Sequence, residues 1–184
     1  MKTCSGVVAC LIVAVMMVAI CPQPVVAATA AEINRDANKV LKKLFASTPN
    51  AKGLAANARG ILVFPKIVKG GFIVGGQYGE GALRIGGKTV GYYSTAATSY
   101  GLQAGAQTFG YALFFMTESA LDYFKKSEGW EIGSGPSVVI VDEGMASSLT
   151  TTTAKHDVYA FFFSQKGLMA GLGLQGTKIS KIKK

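Results

Sequence analysis

The chain has 184 residues, with 19 Lys and Arg against 10 Asp and Glu, a single histidine and three cysteines. The excess of positive charge favours anionic partners: lipid head groups, acidic polysaccharide or nucleic acid. Cys4, Cys10 and Cys21 all fall in the first 21 residues, so the rest of the chain has no thiol for a disulfide, a nucleophile or a metal ligand.

The first 28 residues read as a secretory signal peptide. Lys2 precedes an apolar run from Val7 to Ile20, and small residues follow. Val26 and Ala28 suit cleavage after Ala28; Ala28 and Ala30 fit nearly as well. The apolar run is shorter than the roughly 20 residues of a spanning helix, which argues against a retained anchor. Ile20 is too large to precede a lipidated cysteine at Cys21. The expected location is the periplasm or cell envelope. Removal of residues 1–28 leaves 156 of the 184 residues, enough for one domain. Its charge is 18 basic against 10 acidic, a net +8.

Ala31 to Ser47 predicts an amphipathic helix. Ile33, Ala37, Val40, Leu41, Leu44 and Phe45 share one face, with Arg35, Lys39, Lys42 and Lys43 opposite. Such a stripe beside a sheet reads as core before it reads as a membrane-inserting face. Pro49-Asn50 punctuates, and Lys52 to Arg59 predicts a second, short helix. After Gly60 come short β-rich pieces split by glycines: GILVFP, GFIVGGQYG, ALRI and TVGYYST. Gly86-Gly87 reads as a hairpin turn. Two further strands are expected, from Ser99 to Gln107 and on to Thr117. Thr117 caps a helix, ESALDYFKK, ending at Gly129. Ser137 to Val141 is a strand. Val158 to Ser164 and Leu168 to Thr177 read as a closing hairpin around Gln165-Lys166-Gly167, followed by a basic tail, KISKIKK. The expected class is α+β: N-terminal helices packed on a glycine-rich, mostly antiparallel curved sheet, with one inserted helix and no second domain.

Phosphate-loop chemistry does not fit. In GALRIGGKT, Gly81 to Thr89, Lys88 comes one residue late and a β-prone segment follows where a helix N-terminus is required. The glycines at 71, 75, 76, 79 and 81 lack the dinucleotide order and its helix. Ser99, Asp142 and His156 stand in the chain order of a small serine hydrolase, but Ser99 begins a predicted strand rather than a nucleophile elbow. One histidine and the adjacent pair Asp142-Glu143 make no metal shell, and no cofactor is expected. Nucleic acid is disfavoured: Trp130 is the only tryptophan, and Phe161, Phe162 and Phe163 lie in an apolar run that reads as core. The remaining basic residues are more suggestive. Lys66, Lys69, Arg84 and Lys88 lie near the turns of the early β-region, where four charges would attract an anionic membrane if the turns share an edge.

The segment RGILVFPKIVKGGFIVGGQYGEGAL resembles the opening of the SYLF domain. The resemblance continues through YGLQAGAQ, MTESALDYF and FSQKGLMAGLGLQG, spanning about Ala31 to Ile179. It implies a non-enzymatic domain that binds acidic membrane lipids. Some eukaryotic members also bind actin, but the Src-homology module of those actin regulators is missing here, so actin binding is not carried over. The expected function is an exported protein that associates with anionic phospholipid through a basic face. A second reading is an envelope protein holding anionic polysaccharide or a protein partner.

Overall fold

The computed structural model describes residues 27–72, 74–100, 105–127, 129–141, 149, 154–167, 174 and 176–184. The leader up to residue 26 and Asp142 lie outside these residues. Helix α1 (Ala30–Ser47) starts at a capping box: the Thr29 hydroxyl accepts from the Glu32 amide, and the Glu32 carboxylate accepts from the Thr29 amide. The Thr29 backbone and side-chain bonds hold the Glu32 carboxyl below its ordinary pKa. Ile33, Ala37, Leu41 and Leu44 are buried, so the apolar stripe packs inside the protein. Helix α2 (Pro49–Asn57) begins three residues earlier than expected. Pro49 occupies its first turn, where the missing N–H costs nothing, rather than breaking the chain.

The short β-pieces merge into long strands: β1 (Gly60–Phe72), β2 (Val74–Ile85), β3 (Lys88–Tyr100) and β4 (Gly105–Phe115). The glycines read as breaks lie within them. Gly86 and Gly87 do form the β2–β3 turn, both with positive φ, as a two-residue hairpin requires. Of the expected strand from Ser99 to Gln107, Ser99 and Tyr100 end β3 and Gly105 to Gln107 begin β4, while residues 101–104 lie outside the described residues. Helix α3 (Glu118–Lys126), capped by Thr117, is followed by β5 (Trp130–Glu131), β6 (Val138–Val141), β7 (Val158–Gly167) and β8 (Lys178–Ile182).

One eight-stranded sheet results, in the order β5-β8-β3-β2-β1-β4-β7-β6. Only the β6–β7 pair is parallel. The first arm of the expected closing hairpin lies in β7, which continues through Gln165 to Gly167 and pairs with β4 and β6, while residues 168–173 and 175 of its second arm lie outside the described residues; the lysine-rich C-terminal segment is strand β8, paired with β3 and β5. Its alternation explains this, since Ile179 is buried between exposed lysines. The α+β class and the curled, mostly antiparallel sheet are as expected.

The sheet curls into a half-barrel with a core on each face. The inner face gathers Leu62, Phe64, Ile67, Leu83, Tyr93, Phe109, Tyr111 and Ile179 into one cluster, closed by α3 through Leu121 and Phe124 and by Trp130. Strands β8 and β7 are far apart in the sheet yet share this cluster, which marks it as the inside of the curl. The outer face packs Val63, Ala112, Phe114, Tyr159 and Phe161 against α1 and α2. Of the phenylalanine run, Phe161 is buried, and Phe162 and Phe163 pack on the two cores.

Deep in the inner face the Tyr111 and Thr95 hydroxyls lie 2.8 Å apart, both fully buried. Desolvation pushes the Tyr111 pKa well up, so it stays a neutral hydrogen-bonding group. Tyr111→Phe strands the Thr95 hydroxyl without a partner. We expect a loss of about 1–2 kcal/mol in denaturant unfolding, with an unchanged slope.

Pro65 sits in β1, which is paired on both sides, and a proline cannot donate to either ladder. The chain resolves this with a bulge. Between Val63 and Lys66 the β1 register gains one residue over β2, and between Phe64 and Ile67 one residue over β4. A second bulge lies in β7, where Gly110 and Thr108 of β4 face Phe163 and Lys166. There Ser164 takes a left-handed φ of 57°. The two bulges flank the same stretch of β4.

Candidate functional site

The bulges shape the outer surface beneath α1. Pro65, Lys66 and Ser164 form one wall of a groove of about 290 Å³, and Asp36, Lys39, Val40 and Lys43 of α1 form the other. Lys39 and Lys43 lie one helical turn apart and so share a face of α1. All three lysines are exposed, against one carboxylate, Asp36, which pairs with Arg35 at 3.1 Å. Asp36, Pro65 and Lys66 also line a second groove of about 270 Å³, which runs over Ala27, Ala28, Ile33, Val68 and Tyr78 toward Glu80. Val68 and Tyr78 are about half exposed and directly opposite each other in the β1–β2 ladder. The surface is therefore basic at one end and apolar at the other.

The far end is tied down. Glu80 accepts from the Ala28 amide at 3.1 Å and from Lys184 at 2.9 Å, and its other oxygen accepts from the Tyr78 hydroxyl at 2.9 Å. Burial, then the bond to Glu80, raises the Tyr78 pKa. At the other side α1 is pinned to the β2–β3 hairpin by Asn34. Its amide donates to Tyr92 at 2.8 Å, and its oxygen accepts from Thr89 at 2.7 Å.

The four lysine and arginine positions singled out in the sequence do not converge. Lys66 pairs with Glu80 and faces outward into both grooves. Lys69 pairs with Gln77 and Gln107, points to the inner face and is only 8% exposed. Alternation thus puts the two on opposite faces. Arg84 pairs with Ile61, about 13 Å along the strand from the Lys66 position. It donates to the Asn38 side chain and to the Asn34 carbonyl, and burial lowers its pKa. Its chemistry is the docking of α1. Lys88 is exposed beside the Gly86-Gly87 turn. Lys39 and Lys43 were missed because they read as the solvent face of the helix. Their spacing puts them on one face, but only the docking of α1 shows that this face meets Lys66.

The hydrolase constellation is not assembled. Ser99 pairs with Gly75, which lies level with Gly71 at one end of β1. His156 precedes Val158, which lies level with Phe115 and Gly60 at the other end. Eleven strand positions, roughly 35 Å, separate these ends. His156 is exposed in the loop before β7, and Asp142 lies outside the described residues. Among the described residues no group of three or more His, Cys, Asp and Glu could hold a metal, and no helix is long and apolar enough to cross a membrane.

No curated protein matches the chain. Residues 96–184, from the end of β3 to the C-terminus, match the model of a family described as Ysc84, Las17-binding protein actin regulator. This stretch supplies β4, α3 and β5 to β8, and with them Ser164 in the groove wall. This match to residues 96–184 is consistent with the resemblance to the SYLF domain read from the sequence.

Proposed function

We propose that this protein is exported and, without catalysis, binds anionic membrane lipids through the groove between α1 and the β1 bulge. The observation that carries the reading is the meeting of Lys39, Lys43 and Lys66 at one end of a surface whose other end is apolar. An anionic amphiphile needs both: cations for its head group and apolar surface for the start of its chains. The match of residues 96–184 to the model of a family of binding domains supports the reading. The lysines themselves lie outside the matched stretch. Export is supported by the sequence of residues 1–28 and by the position of Thr29. Cleavage after Ala28 would leave a charged amine at Thr29, 2.8 Å from the Glu32 carboxylate that caps α1. N-terminal sequencing of protein from the envelope fraction tests this.

Lipid binding is tested by co-sedimentation with vesicles of graded anionic lipid content, alongside purified anionic polysaccharide. Binding should rise with anionic lipid and be absent with zwitterionic vesicles. Capture by the polysaccharide alone would favour an envelope protein of the second class. Asp36 is the one negative charge of the basic groove. Asp36→Asn should therefore strengthen binding to anionic vesicles about fivefold, on the scale of about 1 kcal/mol per charge near such a surface.

A further inference from the structure

Past the groove, the outer face of the sheet continues as an uncharged arm. In register across β8, β3, β2, β1, β4 and β7 stand Lys178, Ala96, Tyr78, Val68, Thr108 and Lys166. Strand alternation puts all six on the face of Lys66. A lysine thus stands at each end of the row, with Val68 50% and Tyr78 49% exposed in its middle. The nearest acids are Glu131, level with Lys178 in the edge strand, and Glu80, which Lys184 already pairs at 2.9 Å. Beyond the row β1 and β2 run on to Phe72 and Val74, and Val74 is 53% exposed. No charged residue occurs between Lys69 and Glu80, between Lys88 and Glu118, or between Lys166 and Lys178. Among the described residues no side chain packs on the arm: a Cβ at Gly70 or Gly76 would meet only a carbonyl of the adjoining strand, at 3.8 and 3.9 Å.

We infer that this end of the sheet enters the bilayer, with Val74 in the acyl region and Tyr78, Lys166 and Lys178 at head-group level. The inference rests on the lipid-binding reading and deepens it, since Lys66 of the groove lies two strand positions behind the row. Val74 is four positions past Tyr78, about 13 Å along the strand. That reaches the roughly 5–10 Å depth of interfacial elements without spanning a core of about 30 Å. Tyrosine and lysine suit the boundary, where an apolar body meets a polar tip. β1 through Gly71 and β2 from Val74 are paired with a strand on both sides. Both can therefore enter an apolar phase with their ladder groups satisfied. A second copy fits less well, because two such ends would bring their lysines together.

The test places a tryptophan at the tip. Trp130, the only native one, is buried and gives a constant background. Val74→Trp is compared with Val90→Trp, since Val90 is equally exposed but lies near the Gly86-Gly87 turn at the other end of the sheet. Both are bound to vesicles of phosphatidylglycerol and phosphatidylcholine brominated on the acyl chains. The bromines should quench Val74→Trp and leave Val90→Trp and the wild-type protein unchanged. Val74→Ser, which alters no charge, should weaken vesicle binding about tenfold, the scale of burying one valine side chain. Its melting temperature should stay unchanged. Binding without quenching of Val74→Trp, equal quenching of both variants, or unchanged affinity in Val74→Ser would overturn the inference and leave the groove standing. A dimer that Val74→Ser dissociates, without quenching, would assign this end to a second copy instead. No binding of the wild-type protein to any vesicle would overturn both readings.

Discussion

Gly110→Ala is expected to be among the most damaging single-methyl changes in this protein. A Cβ at Gly110 would lie 2.3 Å from Cε2 of Phe163 and 2.8 Å from the backbone oxygens of both Phe64 and Pro65. The phenylalanine ring could shift, but the two carbonyls belong to the β1 bulge and are held by the ladders on either side. Gly81 faces the same bulge from β2, where a Cβ would come within 2.3 Å of the Val63 oxygen. Glycine at both positions lets the neighbouring strands close over a proline in the middle of a sheet. Overpacking of this kind costs about 3 kcal/mol. For a domain of this size that is a fall of roughly 6–12 °C in melting temperature. Calorimetry of the purified variant checks it; a fall below about 2 °C would mean that the bulge is not rigid. Because Pro65, Lys66 and Ser164 line the groove, the variant should also lose vesicle binding in proportion to its unfolded fraction.

Much of this architecture is legible in the sequence, for reasons that also explain what is not. The stripe of α1 repeats at helical spacing, and burial follows it from Ile33 to Leu44. The Gly86-Gly87 turn is legible because positive φ at two successive residues demands glycine. Pro65 and the glycines of β1 and β2 mislead, because they read as breaks in the strands and are instead accommodated within them. Pro65 is taken up by the bulge, and Gly81 makes room for it. The strand β8 hides in a lysine-rich tail because a strand of five residues has too few apolar positions to announce itself. The basic site is half legible. Lys66 is found by its charge and setting. Lys69, three residues on, looks equivalent, yet the bulge ends before it and strand alternation sends it inward. Lys39 and Lys43 belong to the site through the angle at which α1 crosses the sheet, and that angle is fixed by Asn34 and Asn38 bonding to Tyr92, Thr89 and Arg84. No local pattern encodes such a long-range contact.

The second large effect concerns charge. Neutralising Lys39, Lys43 and Lys66 together, each to glutamine, should weaken binding to anionic vesicles about a hundredfold. Each cation near an anionic surface contributes about 1 kcal/mol, and about 1.4 kcal/mol is a factor of ten. Stability should hardly move, since surface substitutions of this kind stay within about 0.5 kcal/mol and none of the three lysines is in an ion pair among the described residues. Loss of binding with intact folding separates a recognition role from a structural one. The same neutralisation at Lys88, exposed at the hairpin on the far side of Arg84, should cost little, because a single cation outside the groove acts alone.

The most direct test is co-sedimentation of the wild-type protein and the Lys39→Gln, Lys43→Gln, Lys66→Gln variant with anionic vesicles at low and at high salt. Screening shortens the reach of exposed charges from about 10 Å at 0.1 M salt to about 3 Å at 1 M. Wild-type binding should therefore fall steeply with salt, and the variant should bind weakly at both concentrations with little salt dependence. Equal binding of the two proteins at low salt, or wild-type binding indifferent to salt, would contradict the assignment of the groove as the lipid-binding surface.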